Sequence, residues 1–148
     1  MRVLVDLIME LRPRQWTKNL LVFAALLFAH KATDPQAVVE AIEAFFVFCL
    51  VAGSIYLIND ALDVEQDRLD PIKRERPLAA GRLSVPVAVT TAIVLILAGL
   101  AGAYYVSGVL LLKVMLAYVG INLLYSGFLK HIVIIDVFAI ASGFVLRA

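Results

Sequence analysis

Hydrophobic residues in this chain are gathered into long runs that alternate with short polar segments. Five runs are candidates for membrane-spanning helices, at residues 20–29, 38–58, 85–106, 109–125 and 132–146. A helix needs about 20 apolar residues to cross a bilayer, so the first run is short, and we interpret Trp16 and Lys18 as interfacial anchors that lengthen it. The pattern predicts an all-α fold: a multi-pass transmembrane helical bundle with about five spans in 148 residues.

The N-terminal residues have a different pattern. Arg2, Asp6 and Glu10 are four residues apart, and apolar residues fill most positions between them. This spacing predicts an amphipathic helix within residues 1–14 that lies at the membrane interface. A solvated extension of the first span fits the pattern equally well, and in either case Pro13 ends the helix.

Composition supports the membrane assignment and argues against some classes of function. Hydrophobic residues make up 63% of the chain, whereas soluble domains have roughly 45–50% apolar residues. The net charge of +1 gives no sign of a nucleic-acid partner. The single cysteine, Cys49, cannot form an internal disulfide, so the fold does not need an oxidising compartment.

Basic residues are concentrated in the segments that the five-span pattern puts on one side of the membrane. These are the N-terminal segment, the loop at residues 62–84 and the turn that contains Lys130. The segments on the opposite side carry few charges. The positive-inside rule therefore predicts an integral plasma-membrane protein whose N-terminus and 62–84 loop are cytoplasmic.

Four oxygen-bearing side chains follow the second run and form the clearest chemical feature: Asn59, Asp60, Asp63 and Asp67. If the helix continues through them, residues three and four apart share one face. Carboxylates gathered in this way repel one another, and Mg²⁺ relieves the repulsion because it binds oxygen ligands together with substrate phosphates. We therefore expect these four residues to bind the metal, with the three aspartates acting in catalysis. A solvated helix end is the alternative interpretation.

Basic side chains in the same loop are suited to phosphate oxygens. Arginine binds phosphate through paired hydrogen bonds and lysine acts as a point charge. The positive-inside signal alone accounts for these charges, but it does not account for the acids among them. The expected substrate-binding residues at the cytoplasmic ends of the helices are Asn59, Arg14, Lys18, Lys73, Arg74, Arg76, Tyr125 and Lys130.

The aspartate motif and the basic segment after it resemble the UbiA superfamily of intramembrane prenyltransferases. A finer similarity is to its decaprenyl-phosphate phosphoribosyltransferase branch. The segments that carry the resemblance are residues 11–19, 56–60, 67–81 and 136–148.

The resemblance implies a reaction and a larger fold. It implies that 5-phosphoribose passes from phosphoribosyl pyrophosphate to a polyprenyl (decaprenyl) phosphate, with release of pyrophosphate, for bacterial cell-wall arabinan precursors. It implies Mg²⁺, membrane lipid around the site, and a bundle of about nine helices. A second aspartate motif belongs to the family's later helices. We therefore expect residues 1–148 to be the N-terminal half of a single membrane-embedded domain, inactive alone.

Two other functions fit parts of the pattern. A conventional prenyltransferase of the same superfamily would use the same aspartates to move a prenyl group from a prenyl diphosphate to an aromatic acceptor. A transporter or channel would use the intramembrane residues Lys113 and Asp136. Transport predicts polar residues spread through the depth of the membrane, whereas here they are concentrated at one end of the helices.

Overall fold

The computed structural model describes residues 2–129 and Gly143, and these residues are helical or in turns, without a strand. This confirms the predicted all-α class. Two 3-10 segments, Pro13–Leu21 and Lys73–Glu75, and a π-helical turn, Tyr125–Leu129, accompany the α-helices. The α-helices are α1 (Arg2–Glu10), α2 (Val22–Phe28), α3 (Pro35–Leu62), α4 (Val64–Leu69) and α5 (Val85–Leu124).

Helix α3 is the central element and has well-defined ends. Asp34 caps its first turn by accepting a hydrogen bond from the Gln36 backbone at 3.1 Å, and Pro35 occupies the first helical position, where it needs no donor. Twenty-eight residues span about 42 Å, which is enough to cross a bilayer. The helix ends at Leu62 because Asp63 leaves the helical conformation, with φ −98° and ψ 7°.

Helix α5 reverses its direction in the middle. Residues 107–108 have non-helical φ and ψ angles. Gly102 approaches Val47 of α3, and Tyr118 packs edge-on against Phe48 with ring centroids 5.6 Å apart. A straight helix would carry Tyr118 about 24 Å past Gly102, so the chain must turn back on itself. The reversal falls between the third and fourth predicted spans.

The number of spans remains a prediction. Among the described residues, two helices are long and apolar enough to cross a membrane, Pro35–Leu62 and Val85–Gly127, and the second contains the reversal. The first predicted span, residues 20–29, is not one continuous α-helix, because its first two residues belong to the 3-10 segment Pro13–Leu21. The side chain of Asn19 in that segment is buried against Cys49. Helix α2 alone covers only about 10 Å. Apart from Gly143, the fifth predicted span lies outside the described residues.

Two apolar clusters hold α3 to its neighbours. In the larger one, α3 packs against both arms of α5, and small residues such as Ala103 allow the close approach. The smaller cluster joins the end of α3 at Leu57 to Leu78 and Leu83 of the loop and to Ala88 and Ala92 of α5. The 62–84 loop is therefore anchored over the end of α3.

Helix α1 buries its polar side. Asp6 and Glu10 are 8% and 2% exposed, whereas Val3, Leu4 and Ile8 are about half exposed. An amphipathic helix on a soluble protein buries its apolar stripe instead. The acidic stripe of α1 thus faces the protein, and its apolar face is left outward.

Candidate active site at the end of α3

Asp60 is the centre of the polar cluster at the end of α3. Its carboxylate is 2% exposed. Arg12 Nη2 lies 2.6 and 2.5 Å from its two oxygens, and Arg76 Nη1 lies 3.1 Å from Oδ1. Burying a carboxylate is costly unless cations and hydrogen bonds compensate it. The two arginines provide that compensation, and they come from segments far apart in the chain.

A second buried carboxylate, Asp67, shares Arg76 with Asp60. Arg76 Nη1 donates to Asp67 Oδ2 at 2.6 Å, and Lys73 Nζ is 3.8 Å from Asp67 Oδ1. Asp70 shapes the turn between Asp67 and Lys73, because it accepts hydrogen bonds from the backbone N–H groups of Lys73 and Ile72, which lower the pKa of Asp70. The turn brings the loop cations back onto the aspartates.

Arg12 reaches Asp60 through an unusual backbone conformation. Its φ is 51°, in the left-handed region that non-glycine residues rarely adopt. The guanidinium carbon lies 4.9 Å from the centre of the Tyr56 ring, within the range of a cation–π interaction. Arg12 is therefore held between an aromatic face and a carboxylate.

Glu10 joins the cluster from α1. Its Oε1 accepts a hydrogen bond from the Leu78 backbone at 2.9 Å, and the residue is 2% exposed. Burial raises the pKa of Glu10 to about 7, the Leu78 N–H opposes the rise, and neighbouring Asp60 adds to it. Glu10 thus contacts the loop and lies beside the central aspartate.

The predicted metal ligands have suitable oxygens but do not form one continuous helical face. The break at Asp63 separates Asn59 and Asp60 from Asp67. In the described part of the chain, no three acidic, histidine or cysteine side chains converge as a metal site. However, Asn59 Oδ1 is buried without a hydrogen-bond donor, and Asp60 and Asp67 point at a single guanidinium. This set of oxygens fits Mg²⁺ in its chemistry.

The structure brings together only part of the predicted site. Asp60, Asp67, Lys73 and Arg76 converge. Within the described part of the chain, Arg14 forms no ion pair with the aspartates, but it lines a groove of about 560 Å³ together with Arg12. Lys18 is exposed, Arg74 pairs with Glu75 at 3.7 Å, Tyr125 is half-buried in the π-helical turn, and Lys130 lies outside the described residues.

Three residues in the cluster were not among the predicted site residues: Glu10, Arg12 and Tyr56. The four-residue spacing of Asp6 and Glu10 marks a polar face of α1, but it does not say what the face contacts. Arg12 lies in a basic segment whose charge the positive-inside rule already explains. The partners of these residues are far away in sequence, so local patterns could not identify them.

The arrangement is suited to binding a polyanion. Two partly buried arginine side chains and a half-exposed lysine lie at the edge of the cluster, with buried carboxylates behind them. Charge-assisted hydrogen bonds from arginine to phosphate oxygens are short and strong. Such a site neutralises the charge that develops on a phosphate leaving group.

Known proteins resemble this chain over nearly its whole length. Residues 20–148 match the UbiA prenyltransferase family. A decaprenyl-phosphate phosphoribosyltransferase of Mycolicibacterium smegmatis is 45% identical over 96% of this chain and 46% of its own length. Proteins of the same name from Corynebacterium glutamicum and Mycobacterium tuberculosis strain H37Rv are 43% and 40% identical, over 96% and 99% of this chain and 44% and 49% of their own lengths. The chain spans about half the length of these curated relatives.

Proposed function

Because the chain belongs to the UbiA prenyltransferase family, we propose that it contributes the first half of the active site of a membrane-embedded phosphoribosyltransferase. The donor is phosphoribosyl pyrophosphate and the acceptor is a polyprenyl phosphate such as decaprenyl phosphate. The observation that carries the proposal is the convergence of Arg12, Lys73 and Arg76 on two buried aspartates. The names of the similar actinobacterial proteins support the choice of substrates.

The residues of this chain would act on the donor diphosphate. An oxygen of the polyprenyl phosphate attacks C1 of the ribose, the bond from C1 to the diphosphate oxygen breaks, and its electron pair leaves with pyrophosphate. Arg76 and Lys73 would hold the diphosphate oxygens and stabilise this charge. The acceptor phosphate is already anionic near pH 7, so no general base is needed.

Magnesium is part of the proposal. The ion would be held by Asn59, Asp60, Asp63 and Asp67. Asn59 Oδ1 supports this assignment, because it is buried and receives no hydrogen bond from the protein. A bound Mg²⁺ supplies further neutralisation of the diphosphate. Arg12 and Arg76 also compensate the buried charges of Asp60 and Asp67.

We also propose a position for α1 and an orientation for the chain. The outward apolar face of α1 lies in the interfacial layer of the plasma membrane, and the N-terminus and the 62–84 loop are cytoplasmic. A nitroxide on a cysteine at position 4 is expected to collide more with oxygen, which dissolves in lipid, than with a water-soluble nickel complex. The opposite preference would put this face in water.

The function is tested on the full-length protein in membrane vesicles. Labelled phosphoribosyl pyrophosphate and decaprenyl phosphate are expected to give a lipid-soluble labelled product and pyrophosphate only when Mg²⁺ is present. The rival function, transfer of a prenyl group to an aromatic ring, uses the same aspartates. Consumption of a prenyl diphosphate with an aromatic acceptor, and none of the sugar donor, would replace our proposal with the rival.

A further inference from the structure

The segment that follows Arg76 is a compact turn. The backbone N–H of Ala80 donates to the Arg76 carbonyl at 2.8 Å, and the N–H of Leu83 donates to the Pro77 carbonyl at 3.0 Å. The Leu78 side chain is 2% exposed and belongs to the apolar cluster below the loop. The turn is therefore well packed, and its position fixes where the Arg76 side chain begins.

Glu10 is the side chain that accepts from this turn at Leu78. The hydrogen bond is buried, and it links residues 68 positions apart. Leu78 is separated from Arg76 by one residue, Pro77, whose ring restricts the backbone. The hydrogen bond from the Leu78 N–H to Glu10 therefore also restricts the backbone of Arg76, which lies two residues earlier.

The same end of α1 is attached to the central aspartate. Glu10 lies beside Asp60, and Arg12, two residues later, binds both oxygens of Asp60. Asp60 and the turn after Arg76 are thus both held by one short segment of the chain, residues 10–12. The other acid of α1, Asp6, contacts Arg82 at 3.3 Å, near the end of the turn, and does not contact Leu78, Asp60 or Arg76.

We propose that Glu10 is a positioning residue that fixes Arg76 over Asp60 and Asp67 and so sets the affinity for the diphosphate of the donor. The proposal rests on the proposed function for its substrate. A buried carboxyl beside another acid is a costly way to pack a helix. The hydrogen bond from Leu78 explains why a carboxyl group is present here, because the Leu78 N–H would lack an acceptor if an apolar residue replaced Glu10.

The chain offers a conservative variant and a control for this role. In Glu10→Gln, the amide oxygen still accepts from Leu78 and the amide nitrogen can donate to Asp60. Glu10→Ala removes the acceptor. Glu10→Asp shortens the side chain by one methylene and so moves the acceptor away from Leu78. Asp6→Ala removes the other acidic contact of α1 and leaves the Leu78 contact in place.

Steady-state kinetics of the full-length enzyme give the first measurement. Glu10→Ala is expected to raise KM for phosphoribosyl pyrophosphate about tenfold, the scale of one lost buried hydrogen bond, with a smaller change in KM for polyprenyl phosphate. Glu10→Gln and Asp6→Ala are expected to stay close to wild type. Equal increases in both KM values, or no rescue by glutamine, would overturn the proposal.

Amide hydrogen exchange of residues 76–83, without substrate or metal, gives a measurement that does not depend on the reaction. Glu10→Ala is expected to speed exchange at Leu78, and Glu10→Gln is not. Unchanged exchange in Glu10→Ala would refute the positioning role. If wild type ignores phosphoribosyl pyrophosphate, the proposed function fails and exchange alone decides the role of Glu10. If Glu10→Ala does not fold, Glu10→Asp takes its place in both measurements.

Discussion

At the scale of single residues, the candidate site is a set of buried acids compensated by arginines. Asp60 and Asp67 share Arg76, and Asp60 also binds Arg12. Removing one member of a buried ion pair leaves an uncompensated charge, at a cost of about 3–5 kcal/mol. The acids and the cations therefore depend on one another, and substitutions at either are expected to affect the site strongly.

The aspartates are expected to be essential for turnover. Asp60→Ala and Asp63→Ala should each lower kcat by roughly 10²-fold or more, because each removes a carboxylate that would hold the Mg²⁺ that neutralises the leaving diphosphate. The matched control is Glu65→Ala, since the Glu65 side chain is 80% exposed and contacts Arg68 of the same helix. Magnesium-dependent activity at the wild-type level in both aspartate variants would exclude them from the site.

The two neighbouring basic residues, Lys73 and Arg74, are expected to differ. Lys73 lies near Asp67, whereas Arg74 is 63% exposed and contacts Glu75. Lys73→Ala should raise KM for phosphoribosyl pyrophosphate more than KM for polyprenyl phosphate, because the donor carries the extra phosphate groups. Arg74→Ala should change both KM values little. A larger effect at Arg74 would contradict the geometry of the turn.

At the scale of elements, the packing of α3 against α5 depends on small residues. A Cβ atom at Gly99 would collide with the Val51 side chain, whereas a Cβ at Gly120 would meet no atom within 4 Å in the described part of the chain. Gly99→Ala should destabilise the protein by about 1–3 kcal/mol through overpacking. Gly120→Ala should be neutral or stabilising, by up to about 1 kcal/mol, because alanine favours helix.

Thermal unfolding of the two variants in the same detergent tests this difference. The expected order of midpoints puts Gly99→Ala below wild type and Gly120→Ala at or above it. Equal midpoints for the two variants would mean that Gly99 is not at a tight contact between the helices.

At the scale of the whole molecule, every contact of the candidate site lies at one end of α3, and the reversal of α5 lies toward the other end. The pairing of Gly102 with Val47, and of Tyr118 with Phe48, puts the turn at Ser107 alongside the N-terminal half of α3, where Ser107 lines a cavity with Glu40 and Ala41. Asp60 belongs to the last turn of the same helix. If α3 crosses the bilayer, the site and the α5 reversal face opposite compartments.

Cysteine labelling in cells is expected to detect this separation. With Cys49 replaced, Ser107→Cys should react with an impermeant thiol reagent added outside. Arg82→Cys should react only after the membrane is opened, because the positive-inside rule keeps the basic loop in the cytoplasm. The reverse result would invert the orientation that we propose.

The sequence by itself determined the fold class, the helices that carry the site and most of its acids. Apolar run length is a local property, so it identified the cores of α3 and α5 and the break at residues 107–108. Charge spacing marked Asp60, Asp67, Lys73 and Arg76, which do converge. It also predicted a continuous aspartate face, which the break at Asp63 interrupts.

Only the tertiary structure decided which residues meet. Arg12 and Asp60 are 48 positions apart, and Glu10 and Leu78 are 68 apart. No periodicity links such positions, because their contact depends on how the loop folds back over α3 and on how α1 packs beneath it. The outward apolar face of α1 has the same origin: the sequence defined its two faces, but the buried partners of its acids determined which face turned inward.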